Sequence, residues 1–473
     1  MNLPLFMPGM QEIIVVFFAL LTGVAIAVYL LRYQFKNAVI RKCLIIFVLA
    51  FAGLVIAYIL FYAISNAIGR SQVKAKLAEM RERKILLNKD DVYPQEVANT
   101  DNGAKFYLAA FNLMDASTSY AALSKMKIEH FNTVSGWPEK EQKTAQQLLA
   151  GEDIQLIINL FRQGVGKSYV IYKRNYNGVS TLLPELTSQH ELFRLLRDKS
   201  FCEGLDGNKE TGYRLLCDGF KMIIQFKDEK ILISQLTNID CASINIRSMN
   251  ELISRYGVTT SSALQLLAEL EKVNFNQAMI NGFDGDTMIW IDDIFDKIIH
   301  GEANRCIDKF GDIVPLNMQN LMSRASWIWP FFYQDYACYL IQIDKIRSLF
   351  DKPYWDVQNE MNELSSETSN FSRRYFISNL TFPLLIAFRT KTANIESEID
   401  AAKLMLALHI YKNQNGAFPD KLEQLAPVIL KEIPVDPISG KPFEYHKTDG
   451  TFELSSVWLK EKRERPKQWF GVL

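Results

Sequence analysis

The chain has 473 residues, and its 53 basic and 53 acidic side chains leave it with no formal net charge. This balance gives no electrostatic reason to expect nucleic acid or another polyanion as a partner, and the length allows more than one domain. Phenylalanine and tyrosine are plentiful while glycine and proline are sparse, which predicts a well-packed, mainly α-helical body.

Two apolar runs without a charged residue open the chain, at residues 13–31 and 43–64. Each is long enough to cross a hydrocarbon core of about 30 Å as a helix. We therefore predict a transmembrane helical hairpin that anchors residues 1–70 in the lipid bilayer. The sequence Ala25-Ile26-Ala27 resembles a signal-peptide cleavage site, but no basic segment precedes the run and its apolar character continues to Leu31, which favours the anchor.

The charges beside these runs predict the orientation. Residues 32–42 carry four basic side chains and no acidic one, and no basic residue precedes the first run. Because positive loops stay in the cytoplasm, we expect both ends outside, with the large domain on the periplasmic side of a bacterial inner membrane. Six basic residues between Arg70 and Lys84 favour the opposite orientation. We give the first run more weight because its flanks are unambiguous.

Residues 71–88 are rich in charge and carry apolar side chains at Val73, Leu77, Met80 and Leu87. This spacing places the apolar side chains on one face of a helix. We predict a stalk helix that continues out of the membrane and ends at 90–94, where Asp-Asp and Pro interrupt the pattern.

Residues 71–395 are predicted to form a large α-helical domain of antiparallel hairpins, and a helical-repeat arrangement stays open. The segments 182–198 and 212–226 have helical patterns separated by 204–207, which predicts one such hairpin. Thr259 to Ser262 offer hydroxyl caps before a helix with apolar residues at Leu264, Leu267 and Leu270.

The sequence GVGKS at 164–168 resembles part of a phosphate-binding loop. That loop needs a glycine five residues before the second glycine, and Phe161 occupies this position. We therefore predict a turn that ends a helix, and expect no nucleotide partner.

The sequence DGDTMIWIDD at 284–293 imitates the start of a calcium loop. Met288 and Ile289 stand where that loop needs an oxygen ligand and a glycine. We predict instead a helix N-cap at Asp286 or Thr287, followed by a helix through Ile298.

Recognisable catalytic and metal-binding motifs are missing from the sequence. The five histidines stand apart, Cys-x-x-Cys and Gly-x-Ser-x-Gly do not occur, and no cofactor or metal ligand is therefore assigned. A pair of carboxylates could still converge in space without showing in the sequence. Cys202 and Cys217 could pair in an oxidising compartment, although buried free thiols are favoured.

The densest aromatic cluster lies at 326–340. Pro330 suits the first turn of a helix whose Phe332, Tyr336 and Tyr339 then share one side. This pattern predicts core packing. A groove or a membrane-interface surface is the alternative, because Trp and Tyr favour the depth of lipid headgroups.

Residues 396–473 are predicted to form a small α+β module. A long apolar helix ends at Asn415-Gly416, and Phe418-Pro419 then turns the chain. Asp420 and Glu423 have the spacing of a capping box. Two alternating segments surround Thr448-Asp449-Gly450, which predicts a β-hairpin.

The module resembles the globular part of the major pseudopilin of type II secretion systems. The resemblance is carried by Tyr411, Gly416, Phe418, Pro419, Pro434, Asp436, Pro437, Gly440, Pro442 and Tyr445, followed by Ser455-Ser456-Val457. The chain as a whole is similar to a class of uncharacterised, membrane-anchored helical envelope proteins that is frequent among planctomycetes and their relatives. In the punctuated loop 433–447, prolines fix φ and Gly440 lets the backbone turn, so these residues are expected to shape the module rather than to catalyse.

The sequence also departs from the pseudopilin pattern. Residues 9–12 do not match the leader that a prepilin peptidase cleaves, and a two-helix anchor and a large domain precede the module. The chain ends SSVWLKEKRERPKQWFGVL where pseudopilins carry calcium-binding aspartates. A fibre subunit and a calcium site are therefore not expected.

These observations predict a non-enzymatic envelope protein anchored in the inner membrane. Its expected partners are the lipid bilayer and envelope proteins, with which it would interact or assemble beside a secretion or pilus-like system. The alternatives are a membrane-bound hydrolase acting on an envelope polymer and a ligand-sensing envelope domain.

Overall fold

The computed structural model of the chain describes residues 22–30, 32–33, 38–85, 92, 100–130, 133–179, 181–299, 331–369, 375–456 and 468–471. Within them the protein is mainly α-helical, as predicted, and one small antiparallel sheet lies near the C-terminus.

The helices are α1 Ala38–Glu82, α2 Ala104–Ala116, α3 Thr118–His130, α4 Glu139–Leu149, α5 Glu152–Val165, α6 Glu185–Leu205, α7 Lys209–Gln225, α8 Leu232–Tyr256, α9 Thr260–Leu270, α10 Phe275–Trp290, α11 Asp296–Ile299, α12 Phe332–Ser348, α13 Tyr354–Ser369 and α14 Phe376–Asn415. The strands are β1 Glu444–Thr448, β2 Thr451–Ser455 and β3 Gln468–Gly471, paired antiparallel in that order.

Helix α1 joins the second apolar run and the predicted stalk in one continuous helix of 45 residues. Within the described residues it is the one helix that is long and apolar enough to cross a membrane. The predicted two-helix anchor is thus supported in part: residues 22–30 and 32–33 of the first run and its flank are helical, and residues 13–21 lie outside the described part of the chain.

The C-terminal half of α1 is not a free-standing stalk. Val73, Leu77 and Met80 are buried in the main hydrophobic core, and α12 packs along α1. The apolar stripe that suggested an amphipathic stalk therefore serves as a core face of the domain. Leu87 and the predicted break at 90–94, apart from Val92, lie outside the described residues.

The predicted hairpin of α6 and α7 is confirmed, and α8 packs on both helices. Helix α9 also begins as predicted, because the Thr259 side chain accepts a hydrogen bond from the Ser262 backbone N–H. One residue of its apolar series differs: Leu264 is 48% exposed, while Leu267 and Leu270 are buried.

The predicted helix start at Asp286 or Thr287 is wrong. Helix α10 begins eleven residues before Asp286, at Phe275, with Asn274 accepting from the Gln277 N–H at 3.0 Å. It continues through a π-helical turn at Ile291–Phe295 into α11. Asp286 does accept a backbone hydrogen bond, but from Leu232 at the start of α8 (3.1 Å). Asp286 therefore caps the start of α8 and not the start of its own helix, α10.

The aromatic cluster forms core, as predicted. Phe332, Tyr336 and Tyr339 are buried, and the Tyr336 ring stacks on Phe295 with the centroids 4.0 Å apart. Pro330 lies outside the described residues.

Helix α14 runs for 40 residues and connects the domain to the C-terminal module. Position 396, at which the sequence suggested a boundary, lies inside this helix. The helix ends as predicted, since Gly416 adopts the left-handed conformation (φ 82°) that glycine tolerates. The capping box at Asp420 and Glu423 is wrong by one residue, because the Gln424 side chain accepts from the N–H groups of residues 420 and 421.

The predicted β-hairpin is confirmed. Strands β1 and β2 pair from Glu444–Ser455 to Thr448–Thr451. Between them Gly450 has φ 78°, which an Asp-Gly turn accommodates readily.

Candidate functional sites

The junction between α1 and α12 is the place where the apolar helix meets the helical domain. A Cβ atom on Gly69 would lie 2.6 Å from the Gln334 backbone nitrogen, so only glycine permits this approach. Four residues earlier, Ser65 accepts a hydrogen bond from the Gln334 side chain at 3.1 Å. Small residues and interhelical polar bonds are typical of helix pairs in membranes.

Charged side chains hold the same two helices together beyond this point. Asp344 of α12 is almost buried and binds both Lys76 (2.7 Å) and Arg83 (2.6 Å) of α1. The Arg70 guanidinium lies 5.0 Å from the centre of the Tyr333 ring. The apolar helix is therefore coupled to the domain over more than three helical turns.

Asp335, in the first turn of α12, links this junction to α14. Its buried carboxylate accepts hydrogen bonds from the backbone N–H groups of Ile377 (2.8 Å) and Ser378 (3.1 Å) and from the Ser378 hydroxyl (2.6 Å). These donors belong to the first turn of α14, whose N–H groups have no partner within their own helix. The start of α14 is thereby fixed beside the start of α12.

Asp436 is the centre of the loop that carries the pseudopilin resemblance. Its fully buried carboxylate accepts hydrogen bonds from the hydroxyls of Ser397 (2.8 Å), Ser439 (2.8 Å) and Ser456 (2.6 Å). It also accepts from the Ile438 N–H at 3.2 Å. Helix α14, the loop and the end of β2 therefore meet on one side chain.

The other residues of the resemblance also have structural contacts. A Cβ atom on Gly440, which has φ 67°, would meet the Trp355 ring of α13 at 2.7 Å. The Tyr445 hydroxyl donates to the Pro419 carbonyl at 2.7 Å. Phe418 is buried and Tyr411 packs against the same core. The remaining prolines, Pro434, Pro437 and Pro442, shape the loop, in which Val435 and Pro442 form an isolated antiparallel bridge.

His409 lies in the core of this module, against the rings of Phe418 and Phe452, whose centroids are 5.4 and 5.9 Å from that of the imidazole. Its Nε2 atom is buried and has no hydrogen-bond partner among the residues that the structure describes. Burial, aided by the charge of Lys412, lowers the pKa of His409 to about 4. The folded module therefore holds a neutral imidazole.

This pKa predicts a pH dependence of stability. An unfolded histidine titrates near pH 6.5, so the unfolded chain takes up a proton that folded His409 refuses until about pH 4. The stabilisation is complete above pH 6.5, and about 3 kcal/mol is lost as the pH falls to 4. Urea unfolding of detergent-solubilised His409→Leu should lack this part of the pH slope. The exposed His446→Leu is the control, and equal slopes for His409→Leu and the unsubstituted chain would contradict the prediction.

A cleft in the helical domain contains charged groups that the sequence did not single out. Its volume is about 420 Å³, and its walls include Tyr169, Arg174, Gln225 and Glu229. The Arg174 side chain is 4% exposed and binds Glu185 at 2.6 Å and Glu229 at 3.0 Å. Burial disfavours its charge, but the two carboxylates outweigh burial and raise the pKa of Arg174.

This network indicates a structural role for the cleft wall. Glu185 and Glu229 both bind one arginine, whereas hydrolytic carboxyl pairs need two groups that face a common substrate. The network joins the extended segment around Arg174 to α6 and to the loop between α7 and α8. Among the described residues, no group of three His, Cys, Asp or Glu side chains is arranged to hold a metal ion.

The remaining sequence motifs are placed as follows. The GVGKS segment ends α5, with Gly166 directly after the helix, so the predicted helix-ending turn is confirmed. Cys202 and Cys217 are both buried and free. Burial raises the pKa of each thiol to about 12, which keeps them protonated and unreactive.

Comparisons with known proteins give no relative. No family model, no curated protein and no solved structure matches the chain.

Proposed function

We propose that the chain is an envelope protein anchored in the bacterial inner membrane, with its helical domain in the periplasm and a role in protein–protein interaction or assembly. The observation that carries the proposal is the division of α1. Almost none of its apolar 18-residue stretch is buried, whereas its C-terminal half belongs to the domain core.

This division distinguishes α1 from two other kinds of apolar helix. The core helix of a water-soluble protein would bury its apolar residues, and Phe47 and Leu54 are more than half exposed. A signal sequence would be removed, but Tyr62 and Ser65, inside the uncharged run, are already buried, and Ser65 is bonded to Gln334 of the domain. A membrane span that is continuous with the domain accounts for both halves.

Thiol labelling tests the anchor and its orientation. In a Cys43→Ser parent, Leu54→Cys is expected to resist a membrane-impermeant maleimide until the protein is denatured. Leu182→Cys, at a position 82% exposed in the domain, is the matched control and should react in intact spheroplasts. Labelling of Leu54→Cys in native membranes would refute the anchor. Reaction of Leu182→Cys only after permeabilisation would refute the periplasmic placement.

The assembly role has its own readout. Native electrophoresis of gently solubilised membranes should show the chain in a complex larger than the monomer. A monomer under all mild conditions that keep the fold would contradict this part of the proposal.

A further inference from the structure

We propose that the junction between α1 and α12 is immersed in the membrane interface, so that Ile68 of α1 and Phe331, directly before α12, contact lipid. This inference rests on the proposed function, because it assumes that α1 spans the bilayer. It adds which part of the helical domain the bilayer covers.

The length of the uncharged part of α1 is the first reason. No charged side chain occurs from Cys43 to Gly69. At 1.5 Å per residue this segment extends about 40 Å, roughly 10 Å more than the hydrocarbon core but close to the full bilayer with its headgroup layers. A span that begins beside Lys42 therefore still has about seven uncharged residues in the interface on the domain side.

Helix α12 begins beside these residues. Phe331 stands directly before α12, and the centre of its ring lies 5.6 Å from the centre of the Phe61 ring. The Gln334 side chain donates a hydrogen bond to the Ser65 hydroxyl. Asp344, near the other end of α12, reaches Lys76 and Arg83. The two helices thus run parallel, and the N-terminal end of α12 is the end at membrane depth.

The face of α1 that α12 does not cover is also apolar at the level of this contact. Leu60, Ile64 and Ile68 follow each other at four-residue spacing and are 57%, 60% and 50% exposed. Residues at this spacing share one face of a helix. Their face continues the exposed apolar surface that begins before Phe47, so the lipid that covers the span is the occupant that fits it.

The chemistry across the junction agrees with this depth. Tyr62, Ser65, Asn66 and Gly69 form the buried face of this part of α1. The polar members are bonded within the protein, since the Asn66 amide donates to the Tyr62 carbonyl at 2.9 Å and Ser65 accepts from Gln334. The first charge follows at Arg70, against the Tyr333 ring. Tyrosine and arginine side chains are typical of the headgroup level.

Photocrosslinking in native membranes tests the depth. A benzophenone amino acid is placed singly at Leu54, Ile68, Phe331 and Ile341, and the purified full-length chain is analysed for lipid adducts by mass spectrometry. We expect lipid adducts from Ile68 and Phe331 as well as from Leu54. Ile341 lies about 15 Å further along α12 and is 47% exposed, so it should give none.

The possible outcomes distinguish a failure of the proposed membrane span from a failure of the proposed immersed junction. Failure of Leu54 to form lipid adducts refutes the span itself. Adducts at Leu54 but not at Ile68 and Phe331 leave the span intact and overturn the immersed junction. Crosslinks from Ile68 to a second protein or to another copy of the chain, in place of lipid, also overturn it. The probe at Ile68 leaves α12 unaltered, so a fold defect at Phe331 does not decide the result.

Discussion

Replacing Gly69 with leucine is expected to detach α12 from α1. The new Cβ atom would lie 2.6 Å from the Gln334 nitrogen and 2.8 Å from the Tyr333 Cβ. Backbone atoms cannot turn aside as a flexible side chain can, so the helices must separate. Overpacking of this kind costs about 1–3 kcal/mol and sometimes more.

Hydrogen exchange of the α12 amides measures this effect. Each 1.4 kcal/mol lost from local opening accelerates exchange about tenfold. Gly53→Leu is the matched control in the same helix, because a Cβ atom there meets no atom of the described residues within 4 Å. Equal protection of α12 in both variants would show that the close approach at Gly69 does not hold the junction.

Replacing Asp436 with alanine is expected to destabilise the C-terminal module by about 3 kcal/mol or more, because hydrogen bonds to a charged group contribute about 1.5–3 kcal/mol each. The substitution leaves three serine hydroxyls and one backbone N–H without their acceptor. Asp436→Asn keeps one acceptor oxygen and should cost less.

Urea unfolding of the detergent-solubilised chain provides the measurement. Glu423→Ala removes an exposed carboxylate in the same module and should change the free energy of unfolding by less than about 0.5 kcal/mol. If Asp436→Ala were as mild as Glu423→Ala, the carboxylate would not be the point that joins α14, the loop and β2.

The features that sequence analysis predicted correctly depend on neighbouring residues. Thr259 caps its own helix, Gly416 ends α14, and Asp449-Gly450 connects two adjacent strands. In each case the chemistry lies within a few positions of the element that it shapes. The apolar run of α1 is visible for the same reason.

The features that were missed depend on residues far apart in the chain. Asp335 caps α14 from 42 residues away, and Asp286 caps α8 from 54 residues away. A motif scan assigns such an aspartate to its own segment, which explains the wrong helix start at Asp286. The pair of Gly69 and Gln334 has no local signal either.

In the candidate sites, too, the partners that were not predicted lie far away in the sequence. The sequence identified Asp436 and its neighbours by spacing, but not that Ser397 and Ser456, 39 and 20 positions away, donate to its carboxylate. Arg174 attracted no attention, because Glu185 and Glu229 are 11 and 55 positions away. Contacts of this range are fixed by tertiary packing, which no local pattern encodes.

The length of α14 has a mechanical consequence. Its first turn is held by Asp335 beside the junction, and Ser397, near its middle, donates a hydrogen bond to Asp436 of the C-terminal module. Forty helical residues extend about 60 Å. Helices α8, α9, α12 and α13 pack along this length, and nine of the ten residues from Ala401 to Ile410 are buried. The helical domain and the C-terminal module are therefore built on one packed helix and share one hydrophobic core, so the module cannot rotate against the domain without unpacking α14.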